Sequence, residues 1–240
     1  MKKLFILSVL LSFFINTTYS QSSDYKKFRF GLKGSSSLSW LKSGTKEYKS
    51  DGSKITFGYG LMTEFGFSKN YSFLTGFDVS VSGGKLLATD TLMPLIADRK
   101  GDLQFSTPTS IAATTSIDIK KLQYIEIPLL LKMKTNEIGY ITYFGLFGVN
   151  AAINLKSIAD FKVENKNGES ISEKSDINIK SNIIPVKSGL VIGGGLEYSL
   201  GGNTAAIMQI VFNNGFTDIF KEKQDKSINN NVTLTLGIIF

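Results

Sequence analysis

The chain has 240 residues, no Cys and no His, 42% apolar and 12% aromatic residues, 23 Gly, 4 Pro and a formal net charge of +7. Without imidazole or thiol there is no Ser-His-Asp triad, Cys-His dyad, His- or Cys-ligated zinc, iron–sulfur cluster or cysteine-linked lipid. The length suits one or two domains and permits a single large all-β domain whose core needs no disulfide.

Residues 1–20, MKKLFILSVLLSFFINTTYS, read as an export signal. Lys2 and Lys3 form a positive start, and Leu4 to Ile15 form an apolar run shorter than the ~20 residues a spanning helix needs. Thr18 and Ser20 are small residues at −3 and −1, which places cleavage between Ser20 and Gln21; an uncleaved anchor is the alternative. Removal takes away two Lys and leaves 25 basic against 20 acidic residues, a charge of +5. The basic residues are scattered, so nucleic acid is not an expected partner. No later apolar run reaches a transmembrane helix, and residues 21–240 are expected to form one domain.

From residue 27 the dominant signal is period two, that of a strand with two unlike faces. Eight segments carry it. The first is 27–41. In the second, 54–68, Ile55, Phe57, Tyr59, Leu61, Phe65 and Phe67 oppose Thr56, Gly58, Gly60, Glu64 and Gly66. In the third, 71–86, Tyr71, Phe73, Phe77, Val79 and Val81 oppose Ser72, Gly76, Asp78, Ser80 and Ser82. The fourth, 118–134, contains Pro128, which cannot donate to a ladder and predicts a bend or bulge. Segments 138–155, 184–200 and 203–216 follow. The eighth, 230–240, alternates Val232, Leu234, Leu236, Ile238 and Phe240 with Thr233, Thr235, Gly237 and Ile239. Helical periodicity is not convincing anywhere.

The connections alternate too. Three are tight (Lys69-Asn70, Asn136-Glu137 and Gly201-Gly202-Asn203), where Asn and Gly supply positive φ. Four are long and polar: 42–53, 87–117, 156–183 and 217–229. With an even number of antiparallel strands, all tight turns fall on one side and all long loops on the other. The expected fold is therefore an all-β, eight-stranded antiparallel transmembrane β-barrel, with short periplasmic turns and long extracellular loops, in the outer membrane of a Gram-negative-type bacterium. A soluble half-buried sheet also alternates. Against it stand nearly charge-free apolar faces and aromatics near strand ends (Phe28, Phe30, Trp40, Tyr71, Phe73, Tyr140, Tyr143, Tyr198, Phe212, Phe216), as in interfacial belts.

Eight strands leave an interior that side chains fill. The inward charges by this register are Arg29, Lys33, Glu64, Asp78, Glu126, Lys132, Lys187 and Glu197, four of each sign. A structural ion-pair network is the first reading, because an unpaired enclosed charge costs several kcal/mol. A polar thread for water or small ions is the second. A carboxylate pair such as Glu64 with Glu126 or Glu197 is the third, but acid–base work needs one carboxyl in an apolar pocket. No catalytic, cofactor-binding or metal-binding residue is assigned. The charged run in 156–183 lacks the D-x-D-x-D-G spacing of a calcium loop and reads as a solvated face.

The segment Gln123-Tyr124-Ile125-Glu126-Ile127-Pro128-Leu129-Leu130-Leu131-Lys132 resembles the Y-(I/L)-E-(I/L)-P-L-L-(L/I)-K strand of PorT-family outer-membrane β-barrel proteins. The Gly-rich strand Gly189–Tyr198 and the last strand look like the same family. The resemblance covers most of 27–240 and implies an eight-stranded outer-membrane barrel, with Tyr124, Glu126, Pro128 and Lys132 as motif residues and type IX secretion as an associated process. Leu234, Leu236, Ile238 and Phe240 also resemble the signal that barrel-assembly machinery reads, and strand addition gives a means of capture.

The expected function is that of a non-enzymatic outer-membrane barrel with a structural, adhesive or secretion-associated role. Its expected partners are outer-membrane lipid, barrel-assembly machinery and a secretion-system or surface protein. A narrow pore for water or small solutes is the alternative, and an outer-membrane enzyme acting on lipid or protein is a third class.

Overall fold

The computed structural model describes residues 26–44, 48–88, 113–165, 169–221 and 226–240. The expected export signal and its cleavage site lie outside these residues, as do Leu92, Met93, Pro94, Leu95 and Ile96. Nine strands are described: β1 (Phe28–Ser43), β2 (Tyr48–Gly66), β3 (Tyr71–Ala88), β4 (Ala113–Lys134), β5 (Ile141–Asn165), β6 (Ser170–Asn178), β7 (Val186–Gly201), β8 (Thr204–Asp218) and β9 (Ser227–Ile239). Eight of them close a cylinder. Each neighbouring pair is antiparallel in the order β1-β2-β3-β4-β5-β7-β8-β9, and β9 returns to β1. Phe30 and Phe240 seal the seam by exchanging backbone hydrogen bonds of 3.2 and 2.7 Å.

Parity decides which side chains face where. Ile55 and Phe57 are each 71% exposed and Tyr59 is 68% exposed, whereas Glu64 on the same strand is 2% exposed. A soluble sheet would bury the first three and wet the last, so the pattern is inside out, as a lipid-facing barrel requires. Aromatic pairs on this outer surface gather near the turn end: Phe28 with Phe65 at 5.3 Å, Phe30 with Phe240 at 5.6 Å, Phe67 with Tyr71 at 6.4 Å and Tyr140 with Tyr198 at 6.2 Å. Trp40 stacks on Phe212 at 6.2 Å toward the opposite end. The β7–β8 turn has Gly201 at φ 108° and Gly202 at φ 58°, left-handed geometry that glycine adopts without strain.

Three sequence expectations change. First, Pro128 causes no register shift. It stays paired with Asn150 of β5, while its ladder to β3 is interrupted between Leu74↔Leu130 and Asp78↔Glu126. Proline removes a donor, and the flanking pairs hold the register across the gap. The irregularities of β4 fall instead near Ile119 and Gln123. Second, β2 begins at Tyr48 and β4 at Ala113, inside stretches read as loops.

Third, 156–183 is largely paired strand rather than loop, although charges such as Lys156, Glu173 and Asp176 do stay exposed. β5 runs on to Asn165, and β6 returns along it through pairs such as Phe161↔Lys174 and Ile158↔Asn178. Strands β2 to β5 hold 19, 18, 22 and 25 residues, against 16, 16, 15 and 13 for β1, β7, β8 and β9. A membrane crossing needs only ~9–11 residues. One flank of the barrel therefore projects well beyond the membrane on the long-loop side.

Candidate functional site: the filled lumen

All eight charges assigned inward by parity do point into the barrel, and they separate into two layers. The layer near the turns contains Arg29 of β1, Glu64 of β2, Lys132 of β4 and Glu197 of β7. Arg29 Nη1 and Nη2 each donate to Glu197 at 2.8 Å, and Nη2 also donates to Glu64 at 2.6 Å. Lys132 Nζ donates to Glu64 at 3.0 Å and to Glu197, and its ammonium lies 4.2 Å from the Phe144 ring centroid. A planar guanidinium and a flexible ammonium thus tie together carboxylates from opposite walls. Lys134, which parity reasoning passed over, donates to Glu64 Oε1 at 2.7 Å. It stands two residues beyond Lys132, hence on the same face, and that spacing would have found it.

The second layer lies deeper, toward the long-loop end. Lys33 of β1 reaches Asp78 of β3 at 2.7 Å, and Lys187 of β7 reaches Glu126 of β4 at 3.0 Å. The first pair spans β2 over Gly60, where any Cβ would overlap Asp78 Oδ1. Lys187 also sits 4.0 Å from the centre of the buried Tyr124 ring, and Asn150 donates to Glu126 at 3.4 Å. Asp78 and Glu126 are direct cross-strand partners, each beside its own ammonium. Between the two layers packs an apolar band of Met62, Leu74, Leu130, Leu146, Val191 and Ile207.

A cavity of about 90 Å³ adjoins the deeper layer, lined by Ser35, Ser80, Asn150, Gln209, Asn213 and Thr235 among others. Asp78 Oδ1 and Asn150 Oδ1 are buried with no hydrogen-bond partner among the described residues. The space is large enough for several waters and polar enough to hold them. The four motif residues Tyr124, Glu126, Pro128 and Lys132 share even parity and all face the lumen; Pro128 lines this cavity. Of the expected C-terminal signal, Leu236, Ile238 and Phe240 are exposed on the outer face.

Beyond the deeper layer the mouth is closed by a second apolar core, which the sequence reading missed. Leu41 near the end of β1, with Leu86, Ile117, Ile119, Leu122 and Phe161 of the tall strands, projects inward at 0–1% exposure. Ile183 and Phe220 fold across to meet them. Ile184 N–H donates to Ile219 at 2.8 Å and Lys221 N–H to Asn182 at 2.9 Å, binding the two crossing segments together.

Chemically, the turn-side layer is a lock. Both oxygens of Glu64 and of Glu197 accept from cations, so neither carboxylate has the apolar setting that a general acid requires. Glu126 belongs to the other layer, so it forms no pair with Glu64. Among the described residues, no group of three or more Asp or Glu is placed to hold a metal ion.

A closed antiparallel cylinder with a lipid-compatible exterior and charges inside defines a transmembrane β-barrel. The chain belongs to the outer membrane protein beta-barrel domain family, which matches residues 19–221, and it is an outer-membrane protein. Comparison with curated proteins finds no match. Similar solved structures include Ail of Yersinia pestis, with 15% identity over 90% of this chain and 100% of that one and a TM-score of 0.38. OprG of Pseudomonas aeruginosa has 11% identity over 90% and 96%, with a TM-score of 0.43. The protease OmpT of Escherichia coli has 10% identity over 93% and 99%, with a TM-score of 0.47.

Proposed function

We propose that this protein is a PorT-like, non-enzymatic outer-membrane barrel that acts through its extracellular face, in a structural, adhesive or secretion-associated role. The observation that carries this reading is the Arg29–Glu64–Lys132–Glu197 cluster, which ties the walls together across the lumen with side chains 1–8% exposed. The apolar core over the long-loop mouth supports it. So does the projecting β2–β6 flank, which offers a partner a paired sheet surface beyond the membrane. The lumen-facing motif Tyr124, Glu126, Pro128 and Lys132 supports the PorT-like assignment. Export through cleavage near Ser20/Gln21, capture of β9 by assembly machinery and a secretion-system or surface partner belong to the same proposal.

Planar-bilayer recording of the purified protein should show no steady conductance. Cross-linking from intact cells should join the projecting flank to a protein partner. Steady, salt-dependent current through the wild type would overturn the closed-barrel reading. One observation favours a second reading, a narrow pore for water or small solutes: the polar cavity with its unpartnered oxygens. On that reading, Arg29→Gln, which loosens the turn-side layer, raises conductance above a wild type that already conducts.

A further inference from the structure

The turn-side mouth holds more positive charge than its carboxylates neutralise. In the layer just inside it, two carboxylates, Glu64 and Glu197, serve three cations, Arg29, Lys132 and Lys134. All four carboxylate oxygens are taken, and the third cation remains uncompensated at sites 1–14% exposed. Outside this layer lies a cavity of about 180 Å³, several times the roughly 30 Å³ of one water in the liquid.

Lys26, Lys69 and Lys134 line the cavity together with Arg29, and Thr142, Ser199 and Thr204 contribute hydroxyl-bearing side chains. Among the described residues, Lys26 Nζ donates only to the Gly202 carbonyl, at 3.1 Å, and Lys69 has no carboxylate partner. Glu137, on the rim, is the remaining acid. Among the described residues, layer and mouth together hold five cations (Lys26, Arg29, Lys69, Lys132, Lys134) against three carboxylates (Glu64, Glu137, Glu197), an excess of two positive charges. The surplus cation of the buried layer is costly unless an anion joins it, and the exposed Lys26 and Lys69 add positive potential at its entrance. Lys26 registers the crowding: burial first, then repulsion from Arg29 and Lys134, lowers its pKa despite Glu197 and Glu137.

We propose that this mouth is a binding site for a phosphate group. A phosphate carries about −1.5 to −2 charges near neutral pH and three strong acceptor oxygens, which matches an excess of two charges with ammonium and hydroxyl donors on several sides. A carboxylate would offset only half of it. The group comes either from free phosphate or from a lipid headgroup. The aromatic pairs around this end set the mouth at headgroup height, within reach of the inner leaflet.

The test uses the refolded full-length protein and the double variant Lys26→Gln/Lys69→Gln. Both lysines are exposed and lie outside the strands, so the variant should keep the heat-modified gel band of the folded barrel. Inorganic phosphate is titrated into protein in neutral detergent at fixed ionic strength, with chloride as the exchanged anion and ³¹P line width as the readout. In the second arm the protein sits in phosphatidylcholine nanodiscs with and without phosphatidic acid. Saturable binding of inorganic phosphate, weakened about tenfold in the variant, supports a site for the free ion. A response confined to phosphatidic acid and weakened to the same degree supports a headgroup site. No response in either arm, or an equal response from variant and wild type, overturns the proposal. Neither arm depends on whether the lumen conducts.

Discussion

Glu64→Gln isolates the worth of the turn-side lock. The Glu64 carboxylate is 2% exposed and accepts from Arg29 at 2.6 Å, Lys132 at 3.0 Å and Lys134 at 2.7 Å. An amide of the same shape keeps one acceptor and turns an NH2 toward the ammonium groups. The layer then holds three cations against Glu197 alone. Removing one partner of a buried charge cluster costs about 3–5 kcal/mol, because the stranded partners keep their desolvation cost. That is roughly two to four powers of ten in the folding equilibrium.

Urea unfolding in micelles, followed by the fluorescence of the single tryptophan, Trp40, measures the change, with the heat-modified gel band as a second readout. Adding Lys134→Gln removes one of the two surplus cations and should restore part of the loss. Lys162→Gln, which breaks a solvent-screened pair with Glu164, should leave the unfolding midpoint at its wild-type position. If Glu64→Gln unfolds within about 1 kcal/mol of wild type, the buried pairs are not what holds the lumen.

Phe161→Ala should destabilise the capping core by about 3–5 kcal/mol, since Phe161 is fully buried there; limited proteolysis of the long-loop side should accelerate while the heat-modified band persists. Gly60→Ala should perturb the barrel more than its size suggests, because the new methyl meets both Asp78 Oδ1 and the Phe77 carbonyl; Lys33→Met, which removes the ammonium alone, distinguishes loss of the ion pair from the clash. The projecting β4–β5–β6 sheet should depend on acid. Burial raises the Asp160 carboxyl, but hydrogen bonds from Lys120 and the Asp176 N–H outweigh it and hold its pKa below the ordinary range. A depressed pKa gives stability that is present above the unfolded value of about 3.9 and is lost as pH falls through the folded value. Protection factors of β5 and β6 amides, which remove the intrinsic pH dependence of exchange, should stay unchanged from about pH 8 to about pH 5 and fall below about pH 4, whereas Asp160→Asn should show the loss at neutral pH.

The barrel was legible in the sequence because strand parity is a local property. Each residue's face follows from its position along its own strand, so Ile55 and Phe57 outside and Arg29, Asp78 and Glu197 inside needed no knowledge of neighbours. The sorting of tight turns and long loops was equally local, and with an even strand count it implied which end is which. Partner choice was not local. That Arg29 bonds Glu197 across the lumen, while Glu126 belongs with Lys187 in a separate layer, depends on the shear of eight strands against one another, and no single segment encodes it.

The capping core was hidden for a different reason. Ala159, Phe161, Ile179 and Ile183 lie among charged residues that read as a solvated loop, because the projecting sheet turns those charges outward to water. The surplus of positive charge at the turn-side mouth was also invisible one strand at a time. Lys26, Lys69 and Lys134 are far apart in the chain and ordinary individually. Only closure of the cylinder brings them to one rim, where Coulomb interaction depends on distance in space rather than in sequence.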